Sequence, residues 1–251
     1  MVEDRARTGV LGLDDLIEGG LPRGFSYAIR GGPGSGKTIF SAQFLYKGAT
    51  MFNENGIYVT FEEPPYSISN NMMRFNWNLY DLEDKKKLTF VDASPIEGPA
   101  PGKYVIRSPS LGTETFDIGG VISLINDARK QITAKRCVID SLSALGYQYR
   151  EEFEMRRQVL KLVKALTEMG LTTFIISENR EERQDVSTFG IESFLPHGVL
   201  VLHMVRIEDA VVRALELRKI RGVRHSEKLV LFRITSEGIE VYPNETIFGM
   251  R

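Results

Sequence analysis

The sequence predicts an α/β fold: a largely parallel, twisted sheet flanked by helices, with an antiparallel extension at the C-terminal end. Three observations carry this. Short apolar runs alternate with longer amphipathic ones, as when parallel strands are joined by crossover helices. A glycine-rich turn links a strand-like segment to a helix-like one at residues 31–37. Beyond Gly198 the apolar runs are separated only by short turns, the pattern of antiparallel strands. With 251 residues, 42% of them apolar, the chain has ample material for one continuous core and reads as a single domain spanning 1–251.

Phe25 to Arg30 (FSYAIR) reads as the first core strand, and the segment opening at Lys37 and running to Phe52 carries apolar residues at helical intervals. Gly56 to Phe61 is a strand, Ser67 to Phe75 a helix, and Leu88 to Val91 a further strand. Residues 93–117 interrupt the pattern; five prolines and glycines between Pro95 and Gly102 mark a long loop. The helix Ile118 to Gln131 leads into the strand Arg136 to Asp140, and the helix Glu154 to Met169 into the strand Thr172 to Ser177. Val199 to Leu202, Val211 to Ile220 and Leu229 to Ile234 form the extension. No internal repeat is present.

A formal charge of −1 and a pI near 6.4 provide no global basic field for nucleic acid or an anionic membrane. The segment Met1 to Arg5 lacks the apolar core of a signal peptide, and no apolar run approaches the roughly 20 residues of a bilayer span. A soluble, cytoplasmic protein is expected, with no membrane partner. The one cysteine, Cys137, sits in an apolar strand and reads as a buried small hydrophobe. The sequon Asn244-Glu245-Thr246 has no meaning in such a chain.

Gly31-Gly32-Pro33-Gly34-Ser35-Gly36-Lys37-Thr38 fits G-x-x-x-x-G-K-[ST] in full between strand and helix. Backbone N–H groups must curl around a β-phosphate along a path that a Cβ would block, hence the glycines. Lys37 reaches toward the β/γ-phosphates, the Thr38 hydroxyl suits Mg2+, and the helix dipole points at the anion. ATP and Mg2+ are the predicted cofactors, bound along Gly32, Pro33, Gly34, Ser35, Gly36, Lys37, Thr38 and Ile39. Asp140, ending the run Cys137-Val138-Ile139, suits the second metal ligand opposite Thr38, a Walker B acid. Glu62 and Glu63 end the strand from Gly56, and Pro64-Pro65 forces the chain out of the sheet there. If that strand neighbours those bearing Lys37 and Asp140, one Glu can orient the attacking water. Adjacent side chains on an extended segment diverge, so Glu63 is expected to act as base and Glu62 to polarise or bridge. Lys219 and Arg221 share one strand face with Ile220 on the other: a solvated face or a phosphate clamp.

Thr8-Gly9-Val10-Leu11-Gly12-Leu13-Asp14, Gly19-Gly20-Leu21-Pro22-Arg23-Gly24, the phosphate loop, Glu62-Glu63-Pro64 and Lys219-Ile220-Arg221-Gly222 together resemble the RecA-fold ATPases of the KaiC type, from Thr8 to about His225. Ser67 to Trp77 resembles the helix that follows the family's paired acids. The resemblance implies a ring of identical subunits, usually a hexamer, with ATP between neighbours. It makes Lys219, Ile220 and Arg221 a nucleotide-contacting segment whose two cations act catalytically on the next subunit's γ-phosphate, and places His225 at the nucleotide. Ser177-Glu178 falls at the family's polar switch. The chain also departs from the family. It carries one such domain where the circadian clock protein carries two, and no segment is assignable as that protein's phosphorylated Ser/Thr pair, so autokinase activity is not implied. Arg74 stands where a nucleotide-contacting Ser is usual, and His197 where an acid is more common.

RecA-fold proteins often hold DNA on the loops after the Walker B strand and the next core strand. In 148–157, Arg150, Arg156 and Arg157 are offset by Glu151, Glu152 and Glu154, and 178–185 holds four acids against Arg180 and Arg183. Neither is a phosphate-neutralising track, and Tyr147 and Tyr149 read as packing. DNA is not the favoured partner. The reading is a Mg-dependent ring ATPase; the alternatives are an ATP-gated scaffold with little turnover and a recombination accessory ATPase on single-stranded DNA. The protein partner, if any, is not written in the sequence.

Overall fold

The structure, a computed structural model, describes residues 4–93, 106–107, 118–144, 151–178 and 196–247. Tyr147, Tyr149, most of the long loop within 93–117, and residues 148–150 and 179–185 of the two loops weighed for DNA lie outside the described residues.

A two-residue pair, β1 (Arg5–Ala6) with β2 (Leu21–Pro22), precedes the main sheet. Then come β3 (Ser26–Gly31), α1 (Lys37–Met51), β4 (Gly56–Thr60), α2 (Pro65–Met72), α3 (Leu79–Asp84), β5 (Leu88–Asp92), β6 (Ile106–Arg107), α4 (Ile118–Ile132), β7 (Arg136–Asp140), α5 (Glu152–Glu168) and β8 (Thr172–Glu178). The chain ends in β9 (Gly198–Ile207), β10 (Ala210–Ile220), β11 (Val230–Thr235) and β12 (Gly238–Thr246). Among the described residues these form a ten-stranded sheet in the order β12-β11-β10-β9-β3-β8-β7-β4-β5-β6. From β9 to β6 every pairing is parallel, and β10, β11 and β12 add on antiparallel.

The parallel strands read as unbroken apolar runs because both faces are covered: β3, β4 and β5 are buried at every position. On one face Tyr27, Ile29, Tyr58, Val138 and Phe174 pack against Phe40, Phe44 and Leu45 of α1, joined by Leu215, Phe232 and Ile239 of the extension. On the other, Ile57, Val59, Ile139 and Ile175 meet Val121 and Ile125 of α4 and Val159 and Leu162 of α5. Cys137 belongs to this second core, and burial pushes its thiol up, as suits a hydrophobe rather than a nucleophile.

Several expected elements change in extent. The helix expected over Ser67 to Phe75 begins two residues earlier, at Pro65, and ends in a 3-10 turn over Met73–Phe75. α3, β6 and β12 were not expected from the sequence. β12 contains Pro243, which removes a ladder donor; the residue is tolerated because β12 is the sheet's edge. The condition placed on Glu62-Glu63 is met in half. β4 pairs directly with β7, Thr60 opposite Asp140, whereas β3 is separated from β7 by β8. The phosphate loop closes that gap by carrying α1 back across the sheet.

Candidate active site

The turns after β3, β4 and β7 emerge at the same sheet edge, the carboxyl ends of parallel strands. Gly34 (φ 73°) and Gly36 (φ 102°) are left-handed, which a side-chain-bearing residue rarely adopts. A Cβ on Gly32 or Gly34 would meet nothing within 4 Å, so the loop opens onto free space. α1 starts at Lys37 with no side-chain cap and no acid in its first turn, leaving its leading N–H groups aimed into that space. Among the described residues, Ser35 Oγ is buried without a hydrogen-bond partner. Lys37 Nζ donates to the carbonyls of Gly31 (2.8 Å) and Gly32 (2.9 Å), spanning the loop. Pro33 and Gly34 are exposed at its tip, and Ile39 packs on the α1-side core. Uncapped N–H groups, a lone buried hydroxyl and a glycine cradle fit a polyphosphate.

Thr38 Oγ1 donates to Asp140 Oδ2 at 3.2 Å, bringing the two expected metal-holding residues together. The same oxygen accepts the Tyr58 hydroxyl at 2.6 Å. Burial raises the Asp140 pKa, the hydrogen bonds from Tyr58 and Thr38 oppose that, and the charges of Glu62 and Glu63 add to the rise. An oxygen-only pair of hydroxyl and carboxylate is the donor set that Mg2+ takes, with water completing the shell.

β4 ends at Thr60, so Glu62 and Glu63 lie in the bend that follows it rather than on the strand as expected, and their side chains take different partners. Glu62 is exposed and its Oε1 accepts the Ser141 hydroxyl at 2.9 Å, one residue past Asp140. Glu63 turns toward α2, its Oε1 accepting Ser67 Oγ (2.5 Å) and Asn71 Nδ2 (3.2 Å).

Lys219, Ile220 and Arg221 lie elsewhere. Ile220 is buried in the α1-side core, Lys219 is half-buried near the end of β10, and Arg221 is exposed in the turn that follows the strand. Lys219 pairs with Val199, and Val199 with Ala28, three residues below Gly31 on β3. At about 3.3 Å per residue that is roughly 10 Å down the strands and two strands across from the chain's own phosphate loop. Lys219 Nζ donates to the Pro196 carbonyl (3.1 Å), and burial, then Arg221, lowers its pKa. His225 lies in the turn between β10 and β11, its Nδ1 3.2 Å from the Ser226 carbonyl. Arg74 covers the Phe75 ring, His197 stacks on Phe25 (3.9 Å), and Ser177 Oγ is buried with no hydrogen-bond partner among the described residues.

Five residues at this edge were not foreseen, Tyr58 on Asp140 being one of them. Ser67, Asn71 and Ser141 orient the glutamates, and the short polar side chains right after the acidic turn and the Walker B acid were the available signal. Arg213 of β10 reaches the Gly34 carbonyl at 3.4 Å, its Nε buried and unpartnered among the described residues. No local pattern marks it, because only the antiparallel return of β10 brings it to the loop.

A family model described as "ATPase: KaiC" matches residues 6–246. The chain belongs to the KaiC ATPase family. It is 38% identical over 236 residues to the circadian clock oscillator protein KaiC of Parasynechococcus marenigrum, covering 94% of this chain and 44% of that protein. The KaiC of Synechococcus elongatus is 38% identical over 239 residues, again 44% of its length. This chain thus spans less than half of these curated relatives. Among solved structures, the KaiC-like protein of the hyperthermophilic archaeon Pyrococcus horikoshii superposes with a TM-score of 0.80 at 36% identity, covering 96% of this chain and 99% of that one. Family and fold agree on a nucleotide-binding, RecA-like ATPase domain with a C-terminal antiparallel extension. No helix among the described residues is long and apolar enough to cross a membrane.

Proposed function

We propose that this KaiC-family chain is a Mg-dependent ATPase that hydrolyses ATP at the interfaces of a homo-oligomeric ring. The observation that supports it most is the closure of Thr38 on Asp140 at the mouth of a glycine cradle, with Glu62 one residue away on Ser141. Gly32 through Thr38 cradle the phosphates, and Lys37 exchanges its loop carbonyls for phosphate oxygens. Thr38 and Asp140 hold Mg2+, which when bound neutralises charge on the β- and γ-phosphate oxygens.

Water orientation is assigned here to Glu62, not to Glu63 as expected from the sequence. Glu63 is engaged by two α2 donors and steadies the turn; Glu62 has one partner, is exposed, and stands beside Asp140. A carboxylate there accepts the proton that the attacking water loses as the γ-phosphate leaves. Lys219 and Arg221 are too far from the chain's own loop to serve it, which supports their action from a neighbouring subunit. The ring size, usually six in the family, and a cytoplasmic location belong to the same proposal.

Turnover of Glu62→Gln and Glu63→Gln, measured beside ATP binding, tests the assignment. Binding without hydrolysis in Glu62→Gln supports it; a wild-type rate in Glu62→Gln contradicts it. Sizing with and without a non-hydrolysable ATP analogue reports on the ring.

A further inference from the structure

We propose that Tyr58 is a positioning residue of the magnesium site, holding the Asp140 carboxylate so that Thr38 presents its oxygen to the metal; the proposal rests on the ATPase reading above. Tyr58 lies on β4 opposite Val138 of β7, two positions before the Thr60–Asp140 pair, so its ring and the Asp140 side chain share a sheet face. The ring is fully buried and rests 5.4 Å from the Phe90 ring. Held there, the phenol donates to Asp140 Oδ2 at 2.6 Å, and that same oxygen accepts the Thr38 hydroxyl at 3.2 Å.

One carboxylate oxygen therefore collects two donors from two different elements, β4 and α1. The consequence for Thr38 is directional. A hydroxyl has one proton and two lone pairs. With its proton committed to Oδ2, the lone pairs of Thr38 face away from Asp140, the orientation a metal ligand needs. Oδ1 is left as an acceptor for water in the metal's shell. Without the phenol, the carboxylate can turn about its last torsion, which is a broad and shallow one. Oδ2 would then no longer be fixed as the acceptor of the Thr38 proton. Tyr58 is thus to Asp140 what a carboxylate is to a metal-bound imidazole, the outer partner that fixes the ligand's orientation.

The test is Tyr58→Phe, which keeps the ring against Phe90 and removes only the hydroxyl. Binding of a fluorescent, non-hydrolysable ATP analogue is titrated with Mg2+, and again in excess chelator. The expected result is an Mg2+ half-saturation raised about 10-fold, the lower end for outer-sphere substitutions at metal sites. Affinity in chelator stays within about twofold of wild type, a split that loss of packing would not produce. In an Asp140→Asn background, Tyr58→Phe adds no further shift. An unmoved half-saturation, equal weakening with and without Mg2+, a full shift in the Asp140→Asn background, or a variant that no longer folds would each overturn the proposal. Wild-type binding that ignores Mg2+ would bring down the ATPase reading and this proposal with it. A Mg-dependent wild type with an unmoved Tyr58→Phe brings down this proposal alone.

Discussion

Two neighbouring carboxylates with different hydrogen-bond partners make separable predictions. Glu62→Gln retains ATP binding and loses turnover about 100-fold, the lower end for removal of a positioned base. Glu63→Gln keeps its partners Ser67 and Asn71 as an amide and loses about 10-fold or less; steady-state phosphate release on the purified variants distinguishes them. Glu83 of α3 offers a pH prediction away from the site. Burial, with Asp84 beside it, pushes its pKa up to about 7, and its Oε1 is buried without a partner among the described residues. A carboxyl that holds its proton more tightly when folded costs stability as pH rises from its ordinary value of about 4.5 toward 7, and the cost is constant above that. Glu83→Gln should therefore melt higher than wild type at pH 8, by about 2 kcal/mol or roughly 5 °C, and equal it near pH 4.5. Glu216 has the opposite sign: hydrogen bonds from His203, then Arg218, hold it down to about 2, so its contribution is complete above its ordinary range and lost as pH falls through about 2.

At the scale of elements, α1 is fixed to the sheet by a buried cation. Arg136, at the start of β7, is fully buried; it donates to Glu54 (2.6 Å) and to the Phe44 carbonyl (2.8 Å), and its guanidinium covers the Phe44 and Phe52 rings. Gly48 of α1 makes the room, since a Cβ there would stand 2.5 Å from Arg136 Cδ. Gly48→Ala, which an isolated helix would favour, is predicted to destabilise by about 1–3 kcal/mol through overpacking, read from chemical denaturation. Nothing in the sequence announced this network, because Arg136 and Glu54 are 82 residues apart and each looks like a solvated charge at an element's edge. What was legible depended on local chemistry. The phosphate loop carries its glycine and lysine code in eight consecutive residues, and the buried parallel strands show as uninterrupted apolar runs. β12 was hidden by Pro243. Tyr58 and Arg213 were missed because they reach the site through strand pairing, which spacing along the chain does not encode.

At the scale of the whole molecule, the groups proposed to handle the nucleotide stand at opposite ends of the strands. Lys37, Thr38, Asp140 and Glu62 gather at the carboxyl edge, while Lys219 and Arg221 sit near the amino end of β9. In the proposed ring, a head-to-tail contact would set one subunit's carboxyl edge against another's cations, and such heterologous contacts form rings where the rotation closes. Arg221→Ala should thus leave ATP binding to its own loop intact while removing turnover by about 1,000-fold, the lower end for loss of a trans-acting arginine. Mixing Lys37→Ala with Arg221→Ala subunits tests the shared site most directly. With random assortment at equal amounts, about a quarter of the interfaces combine an intact Lys37 with an intact Arg221, so ATP turnover should return to about a quarter of wild type. Turnover no greater than the sum of the two parents, in assemblies shown to contain both subunits, would contradict an interfacial ATPase.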